Sequence, residues 1–396
     1  MKGDGHLEGA TEGGRLAARI TDVRSWLYDQ ALPFWGSVGI DGNHGFVELV
    51  ALDGSTSTVD YKRLFVQARQ VYVFSHAHLT GYQQGLEAAQ GGWDFMCRHA
   101  WRQDGGWVRR LDRYGNVLDP TLDLYDQAAA LFATAWWVKA SGDIGAVELA
   151  DRTLEAVDDQ LALGRGAGWL SERGPAAALL QNPHMHLLEA LLALYDVTGA
   201  ERFKTRARGV VGLFNSAFFD AATGTLAEYY QDSWRRAAGE RGRIVEPGHH
   251  YEWVWLLHHA ASIVTGSDAN AGALFEFAER FGRGHEGGLI FDEVLDDGMP
   301  RTRSYRLWPT TEALKAHLAR FESCGALDIG RLTETLDSLF QRFLAAPRAG
   351  VWIDRLNARL EPTIDTVPAS SFYHVFLALS ELLRLEPKLR AAGALA

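Results

Sequence analysis

Three histidines and one glutamate recur at nearly constant spacing in the second half of the chain. They are His186, His249, Glu312 and His374, which are 63, 63 and 62 residues apart. Imidazole groups can take up and release protons near neutral pH, and carboxylates can orient them. If the repeated units close into a ring, the four side chains meet on one rim. The pattern predicts a proton-transfer site whose activity rises as a histidine loses its proton, with an apparent pKa of roughly 6 to 7.

The segment around His186 places several polar side chains on one helical face. Asn182, His186 and Glu189 follow one another at intervals of four and three residues, which is the spacing of neighbours on a helix surface. One alternative is a buried histidine bonded to a neighbour, and another is a metal pair made with His184. A zinc site needs further ligands in a defined arrangement, and the sequence has no His-Glu-x-x-His motif. We predict no metal.

The segment around His249 is the richest in ionisable groups. Glu252 follows His249 by three residues, so a helix would place a carboxylate beside the imidazole, where it can fix the tautomer and raise the basicity. His250 points about a quarter turn away and is expected to be structural. His258 and His259 are expected to pack or to face solvent.

The segment that begins near Trp308 combines an aromatic ring with the carboxyl group of Glu312. A tryptophan face can stack on the C–H face of a sugar, and a carboxylate can accept hydrogen bonds from hydroxyl groups. The chain contains 13 tryptophans, most of which must belong to the core. Arg69 and Tyr125 occupy roughly the matching positions in the first two units, although Arg69 taken alone is equally consistent with a surface ion pair.

The elements that position these residues are themselves repeated. Glycines followed by two apolar or aromatic residues, with one weaker copy at Gly224, recur at intervals of 61, 62, 56, 64 and 62 residues, at Gly45, Gly106, Gly168, Gly224, Gly288 and Gly350. A long fixed period indicates one supersecondary unit repeated along the chain. Each unit is predicted to contain two helices and a glycine-marked loop or short hairpin.

Hydrophobic patterning separates the helices into two layers. Residues 147–161 carry an apolar stripe, which is typical of an outer helix, whereas residues 187–194 are apolar on most sides, as in a buried inner helix. Counting from an outer helix at 14–31 to an inner helix at 370–385 gives about twelve helices. The sequence therefore predicts an all-α, single-domain (α/α)6 barrel with short β-hairpins in its loops.

Two further predictions concern the ends of this barrel. An open helical solenoid is the alternative, but solenoids usually carry polar capping repeats, and His374 in the last unit is in phase with the others. We expect a flexible N-terminus over residues 1–13 and a catalytic barrel over residues 14–390.

Prolines mark the starts of the inner helices. They precede the site residues by a few positions, at Pro183, Pro247, Pro309 and Pro368. Proline suits the first helical turn, where its missing N–H would be unbonded in any case. The site residues are therefore predicted in the first turns, at one end of the barrel. Helix N-termini favour bound oxyanions and oppose the formation of imidazolium.

Composition limits the classes of partner and compartment. The formal net charge is -11 and there is no basic stripe, so no nucleic-acid surface is expected. The two cysteines, Cys97 and Cys324, lie far apart in the sequence, which favours a reducing compartment. Residues 1–14 are polar and no apolar run reaches membrane length. We expect a cytoplasmic monomer or homodimer without membrane contact.

The ordered set of these segments resembles the N-acylglucosamine 2-epimerase superfamily, which includes cellobiose 2-epimerases and mannose isomerases. The matching segments extend over nearly the whole chain, at residues 67–69, 182–186, 246–253, 306–313 and 372–374. The wording His-Met-His-Leu-Leu-Glu-Ala and Pro-Gly-His-His-Tyr-Glu-Trp is similar to the mannose-isomerase branch. The resemblance implies a metal-independent (α/α)6 barrel that acts on reducing sugars and needs no cofactor.

The resemblance also implies roles for individual residues. His249 and His374 match the acid/base pair of the family. With their supporting groups, the predicted catalytic residues are His249, His374, Arg69, His186 and Glu252. The predicted substrate-binding residues are Asn182, Trp308, Tyr125, Glu312 and Met185.

The implied chemistry is proton transfer at C2 of an open-chain aldose through a cis-enediol(ate). Return of the proton to C1 gives a ketose, so we expect interconversion of D-mannose, or a related free aldose such as D-lyxose, and D-fructose. Return to C2 from the opposite face would make the protein a 2-epimerase. Less favoured are a glycoside hydrolase, with Glu252 and Glu312 about 5 to 9 Å apart across a cleft, and a non-catalytic sugar-binding protein.

Overall fold

A computed structural model describes residues 11–42, 45–56, 59–164, 167–173, 179–284 and 288–395. The helices within these ranges are α1 (Glu12–Ser25), α2 (Leu32–Trp35), α3 (Leu64–Leu79), α4 (Gly85–His99), α5 (Leu124–Ser141), α6 (Val147–Leu161), α7 (Asn182–Thr198), α8 (Glu201–Leu213), α9 (Pro247–Ala261), α10 (Ala271–Phe277), α11 (Leu307–Cys324), α12 (Ile329–Ser338) and α13 (Phe372–Ala391). A π-helical turn over Trp26–Ala31 joins α1 to α2, so the described residues form twelve helical segments. Most of the predicted flexible N-terminus, residues 1–10, lies outside the described residues, and α1 begins at Glu12.

The helices form two concentric layers. The inner layer contains the odd-numbered helices from α3 to α13, and α1 with α2 and the even-numbered helices make up the outer layer. The inner helix α5 buries 12 of its 18 residues, whereas the outer helix α6 buries seven of 15, along a single stripe. An inner helix packs against neighbours on both sides and against the outer layer, so it must be apolar on most faces.

Short strands lie in the loops that connect the helices. In chain order they are β1 (Leu49–Ala51), β2 (Tyr61–Arg63), β3 (Arg110–Asp112), β4 (Val117–Asp119), β5 (Leu179–Leu180), β6 (Phe219–Asp220), β7 (Thr225–Leu226), β8 (Tyr229–Gln231), β9 (Arg235–Arg236), β10 (Ile244–Val245), β11 (Val294–Leu295), β12 (Tyr305–Arg306), β13 (Arg355–Leu356) and β14 (Thr366–Pro368). All pairings between these strands are antiparallel, in the orders β2-β3-β4, β5-β8-β9, β6-β7, β10-β11, β12-β13 and β1-β14.

The pairing of β1 with β14 closes the ring between the first and last units. Leu49 lies opposite Pro368 in this ladder. The side-chain amide of Gln70 on α3 donates to the carbonyl of Ala369 at 2.7 Å, and α13 packs on α3. The predicted closed (α/α)6 barrel is therefore confirmed, and the open solenoid is excluded.

The six repeat glycines all adopt the left-handed backbone conformation. Their φ angles lie between 68° and 97°, a region that residues with a Cβ rarely adopt. At Gly106 a Cβ would also lie 2.5 Å from Cδ1 of Leu122. The period found in the sequence thus marks one turn that recurs in every unit.

A side chain on the following inner helix fastens this turn. In the first unit, Gln67 accepts from the N–H of Phe46 at 2.8 Å and donates to its carbonyl at 2.9 Å. In the second unit, Gln127 makes the same pair of bonds to Trp107, at 2.8 and 3.0 Å. These glutamines satisfy backbone groups that would otherwise be buried without partners.

Histidines take over this structural task in the next two units. Nε2 of His184 accepts from the N–H of Trp169 at 3.1 Å, and Nε2 of His250 accepts from that of Leu226 at 3.3 Å. The other ring nitrogen of His184 bonds to the carbonyl of Leu180 at 3.0 Å, and burial lowers its pKa to about 4. Both ring nitrogens of His184 contact backbone groups, so this histidine has a structural role in the turn.

Prolines begin two of the inner helices as expected. Pro183 and Pro247 lie in the first turns of α7 and α9, and Pro309 is the third residue of α11. Pro368 differs in detail, because it ends β14 opposite Leu49 and lies directly before a 3₁₀ turn, Ala369–Ser371, that leads into α13 at Phe372. Within the described ranges, no helix combines the length and the hydropathy of a membrane span.

Candidate active site

Two histidines and a tryptophan meet at the N-terminal ends of the inner helices. His249 and His374 are each the third residue of their helices, α9 and α13. The ring of Trp308 on α11 lies between them, with centroid distances of 5.0 Å to His249 and 5.5 Å to His374. Gly248 makes room for this ring, since a Cβ there would lie 2.5 Å from Trp308.

The carboxylate of Glu228, in the loop before β8, holds His249. Nδ1 of His249 lies 2.8 Å from Oε2 of Glu228. The side-chain amide of Gln181 donates to the same oxygen at 2.9 Å, while its carbonyl accepts from the indole of Trp253 at 2.7 Å. The expectation that Glu252 would hold His249 is wrong, because the loop carboxylate reaches Nδ1 and leaves only Nε2 for a ligand.

The environment of His249 favours its protonated form. Burial lowers the pKa of this imidazole, but the charges of Glu228 and Glu246 outweigh burial and raise the pKa to about 9. We expected the helix N-terminus to oppose imidazolium formation, and at His249 two carboxylates override it. This residue is therefore an acid at neutral pH.

The environment of His374 has the opposite effect. Nδ1 of His374 lies 2.8 Å from Oε1 of Glu312. Burial, together with the charges of Arg69 and Lys315, lowers the pKa of His374 well below its usual value. The surroundings therefore shift the pKa values of the two histidines in opposite directions. Such separation is typical of an acid and a base that act as a pair.

His186 lies one turn deeper on α7, among carboxyl groups. Its Nδ1 lies 3.2 Å from Oε2 of Glu189 and 3.8 Å from Oε1 of Glu252. The other oxygen of Glu189 accepts a short bond from the hydroxyl of Tyr373. Oε1 of Glu252 has no hydrogen-bond partner among the described residues, and burial together with Glu312 raises the pKa of Glu252 to about 7.

Arg69 is the cation of this site. It donates to the hydroxyl of Tyr125 at 2.6 Å, and its guanidinium lies 4.5 Å from the ring centroid of Tyr373. No carboxylate of the described chain lies within ion-pair distance of it, in contrast to the surface ion pair that the sequence also allowed. Arg69 is only 7% exposed, so a substrate oxygen would meet a largely desolvated charge.

Three predicted substrate contacts have different surroundings. Asn182 begins α7, and its buried Oδ1 lacks a partner among the described residues. Met185 and Glu312 are 0% exposed, so neither can touch a sugar in this conformation. Met185 belongs to the hydrophobic core, and Glu312 lies behind His374 as its hydrogen-bond partner.

The sequence contained a signal for Glu228 that we did not use. The third or fourth residue after each repeat glycine repeats with nearly the same period, at Glu48, Arg109, Ser171, Glu228, Asp292 and Asp354. Several of these side chains accept hydrogen bonds at the start of the next inner helix. Oε1 of Glu228 accepts from the N–H of Glu246 at 3.2 Å, and Asp292 accepts from that of Arg306 at 2.8 Å.

Three groups of side chains have metal-ligating atoms within 4.8 Å of one another. They are His186 with Glu189 and Glu252, Glu228 with Glu246 and His249, and Glu252 with Glu312 and His374. In each group Nδ1 of the histidine already contacts a carboxylate oxygen. These contacts orient each ring through its carboxylate, so hydrogen bonding accounts for the groups.

Two cavities open inside the barrel. A narrow one of about 10 Å³ lies between Arg69, Tyr125, His186 and Tyr373. A larger one of about 610 Å³ lies at the opposite ends of the inner helices and shares only Phe132 and Glu189 with the first. The lining of the narrow cavity includes Arg69 and Tyr373, and the ring of Tyr373 contacts that of His374 with a centroid distance of 4.7 Å, so we place the candidate active site on this side despite the smaller volume.

Comparison with known proteins identifies the family. Residues 45–378 match the sequence profile of the N-acylglucosamine 2-epimerase (GlcNAc 2-epimerase) family. The chain belongs to this family. It is 36% identical to a "Mannose-6-phosphate isomerase" of Rhizobium meliloti (strain 1021), over 91% of this chain and 96% of that protein. It is also 27% identical to a "D-mannose isomerase" of Thermobifida fusca, over 94% and 97%.

A solved structure supports the same fold. The cellobiose 2-epimerase from Spirochaeta thermophila DSM 6192 superposes with a TM-score of 0.83 at 22% identity, over 94% of this chain and 98% of that one. The resemblance seen in the sequence is confirmed. The protein is a sugar isomerase or epimerase.

Proposed function

We propose that this enzyme interconverts D-mannose, or a related free aldose such as D-lyxose, and a ketose by proton transfer between C2 and C1. The observation that carries the proposal is that His249 and His374 both contact the ring of Trp308, while their surroundings raise the pKa of His249 and lower that of His374. An aldose–ketose isomerase needs one group that takes a proton from carbon and one that gives a proton to oxygen.

The reaction begins on the open-chain sugar, in which C2–H lies next to the carbonyl. Nε2 of His374 takes the C2 proton, the C2–H electron pair forms the C1–C2 double bond, and the carbonyl pair moves to O1. His249 donates its proton to O1 and gives the cis-enediol. His249 then removes the proton from O2, the C2 carbonyl forms, and His374 returns its proton to C1. Both histidines end in their starting states.

Arg69, Asn182 and Trp308 hold the substrate in this scheme. The guanidinium of Arg69 stabilises the developing oxyanion without exchanging a proton itself. Asn182, which is partly exposed at the start of α7, bonds to a sugar hydroxyl, and Trp308 stacks on the C–H face of the chain. We infer that no metal takes part, because the two histidines and Arg69 supply the proton transfers and the charge stabilisation that the reaction needs.

The proposed substrate carries no phosphate. Three arginines near the mouth are already bound to carboxylates: Arg63 to Glu48, Arg109 to Asp123 and Glu172, and Arg306 to Glu246 and Asp292. A phosphate dianion needs several free donors, usually from arginine or lysine. The described residues around the mouth offer no such set, although the relative from Rhizobium meliloti is named for mannose 6-phosphate.

A glycoside hydrolase is disfavoured by the same geometry. Carboxyl oxygens of Glu252 and Glu312 lie within 4.8 Å of each other, and the two residues are 1% and 0% exposed. Carboxyl groups that flank a glycosidic bond must reach the substrate from two sides. A 2-epimerase remains the second candidate, because two histidines on either side of Trp308 could serve opposite faces of C2.

The test is incubation in deuterated water with D-mannose, D-lyxose and mannose 6-phosphate, followed by NMR analysis of the products. We expect fructose from D-mannose, labelled at C1, with little glucose and little turnover of the phosphate ester. Chelator should leave the rate unchanged. Glucose labelled at C2 as the main product would establish an epimerase instead. Loss of activity in chelator, with recovery on adding a divalent ion, would overturn the metal-free mechanism.

A further inference from the structure

Lys315 is a fully buried lysine on α11, one turn after Glu312. It is 0% exposed, and its Nζ lies 2.7 Å from Oε2 of Glu312 and 4.2 Å from the ring centroid of Trp255. Lysine is almost never fully buried unless it is paired. The ammonium therefore lies directly behind the Glu312–His374 pair, on the side away from the substrate.

The two histidines of the site are bound in nearly the same way. In each, Nδ1 lies 2.8 Å from a buried carboxylate, which is Glu228 for His249 and Glu312 for His374. The two carboxylates differ in what their second oxygen meets. Among the described residues, Oε1 of Glu228 accepts only from an uncharged backbone N–H, whereas Oε2 of Glu312 lies 2.7 Å from the ammonium of Lys315.

We propose that Lys315 determines which of the two histidines is the base. Its ammonium compensates the negative charge of the carboxylate that holds His374, whereas the carboxylate that holds His249 has no such cation among the described residues. A carboxylate without a neighbouring cation favours the protonated imidazole. A carboxylate that is paired with a cation accepts a hydrogen bond from Nδ1–H and leaves the imidazole neutral. Lys315 is thus a positioning residue that acts through Glu312. This inference deepens the proposed function and rests on it for the catalytic consequence.

Other charged and titratable groups also surround His374, and their effects agree in direction. Burial is the largest cause of the lowered pKa of His374. The charges of four residues lower it further: Arg69, Lys315, His186 and His249. Burial raises the pKa of Glu312, and the ammonium of Lys315 opposes this shift. The groups that face the pair from the neighbouring inner helices are Arg69, His186, Glu189, His249, Glu252 and Tyr373.

Removing the lysine charge adds one proton to the Glu312–His374 pair. If the proton settles on His374, Nε2 carries a hydrogen. If it settles on Glu312, the acid donates to Nδ1 and the neutral ring again carries its hydrogen on Nε2. Both microstates of the coupled pair block the base, so the outcome does not depend on which group is formally protonated.

The experiment compares wild type, Lys315→Met and the double variant Lys315→Met/Glu312→Gln. A charge within about 4 to 6 Å of an ionisable group shifts the pKa of that group by about 1 to 3. We therefore expect the acid limb of the kcat–pH profile to move up by about 1 to 3 pH units in Lys315→Met. The double variant should return to the wild-type limb, because the neutral amide that replaces the carboxylate there keeps an acceptor for Nδ1–H. A lysine that only supports folding would lower kcat equally at all pH values.

A second measurement does not depend on activity. ¹⁵N NMR of the histidine side chains, assigned with His374→Asn, should show His374 in wild type as the neutral Nδ1–H tautomer at pH 7. The inference would be overturned if His374 is an imidazolium in the wild type. It would also be overturned if Nε2 of His374 carries no hydrogen in Lys315→Met. If no sugar is converted but the NMR result is as expected, the proposed function is wrong. The inference that Lys315 compensates the charge of Glu312 would then still stand.

Discussion

Nδ1 of His249 lies 2.8 Å from Oε2 of Glu228, a residue that comes 21 positions earlier, in the loop before β8. This contact crosses from a loop to an inner helix, and the charge of Glu228 raises the pKa of His249. The same carboxylate caps the start of α9 through the N–H of Glu246. One side chain therefore both fixes the helix end and sets the protonation of the histidine.

Glu228→Gln should move the alkaline limb of the kcat–pH profile. The pKa of His249 is raised to about 9, so its proton is present below that pH and is lost above it. Glutamine keeps an acceptor but removes the charge, and the limb should fall by about 1 pH unit or more. Glu276→Gln, on the exposed side of α10, is the matched control. An unchanged limb in Glu228→Gln would show that His249 is not the acid.

His249→Asn and His374→Asn should each lower kcat by at least about 10²-fold, which is a typical contribution of a positioned acid or base. Asparagine is close in size and polarity, so circular dichroism and the melting temperature should change little. His259→Asn is the control, since the side chain of His259 is 40% exposed and pairs with Asp196. Exchange of the C2 proton with deuterated water should be lost in His374→Asn. Retention of that exchange at the wild-type rate would transfer the role of carbon base to another group.

Arg69→Lys should lower kcat more than it raises KM, because the oxyanion develops mainly in the transition state. A lysine ammonium is a point charge and cannot reproduce a planar guanidinium that bonds to Tyr125 and stacks on Tyr373. We expect a loss of about 10²-fold or more in kcat. Steady-state kinetics on D-mannose would measure it, with Arg280→Lys on the surface as the control. Equal kinetics for the two variants would contradict the role of Arg69.

Gly106→Ala should destabilise the fold, because φ at this position is 76° and the new Cβ would lie 2.5 Å from Leu122. We expect a loss of about 1 to 3 kcal/mol in the free energy of unfolding, measured by urea denaturation. Gly209→Ala is the matched control. Its added Cβ meets nothing within 4 Å on helix α8, and alanine should stabilise that helix by about 0.5 to 1 kcal/mol. A neutral Gly106→Ala would refute the structural role of the repeated turn.

The barrel could be predicted from the sequence because the residues that mark each unit recur with a nearly constant period. The glycine spacing marks a turn that the backbone repeats in every unit, and His374 in phase in the last unit indicated closure. The order of motifs also identified the family, and the predicted site residues at the inner-helix N-termini do lie at one mouth. Cytoplasmic location, the monomer or homodimer and the domain limits remain predictions.

The electrostatics of the site could not be predicted in the same way. A spacing of three residues suggested that Glu252 holds His249, yet in space the loop carboxylate of Glu228 is closer and Glu252 lies beside His186. The position equivalent to Glu228 holds Arg109 and Ser171 in two other units, and it changes from the third to the fourth residue after the glycine halfway along the chain, which hid the repeat. A buried lysine such as Lys315 has no sequence signature, because its burial follows from the packing of α9 against α11.

The ring is closed by hydrogen bonds rather than by the covalent chain. Besides the ladder of β1 with β14, the indole of Trp35 donates to the carbonyl of Gly350 at 3.1 Å, and α1 packs directly on α13. The two chain ends therefore belong to neighbouring helices. The first described unit therefore has neighbouring units on both sides, as the other units do. A circularly permuted chain, opened at the exposed loop near Asp143 and joined across the present termini, would assemble the same pair of histidines around Trp308.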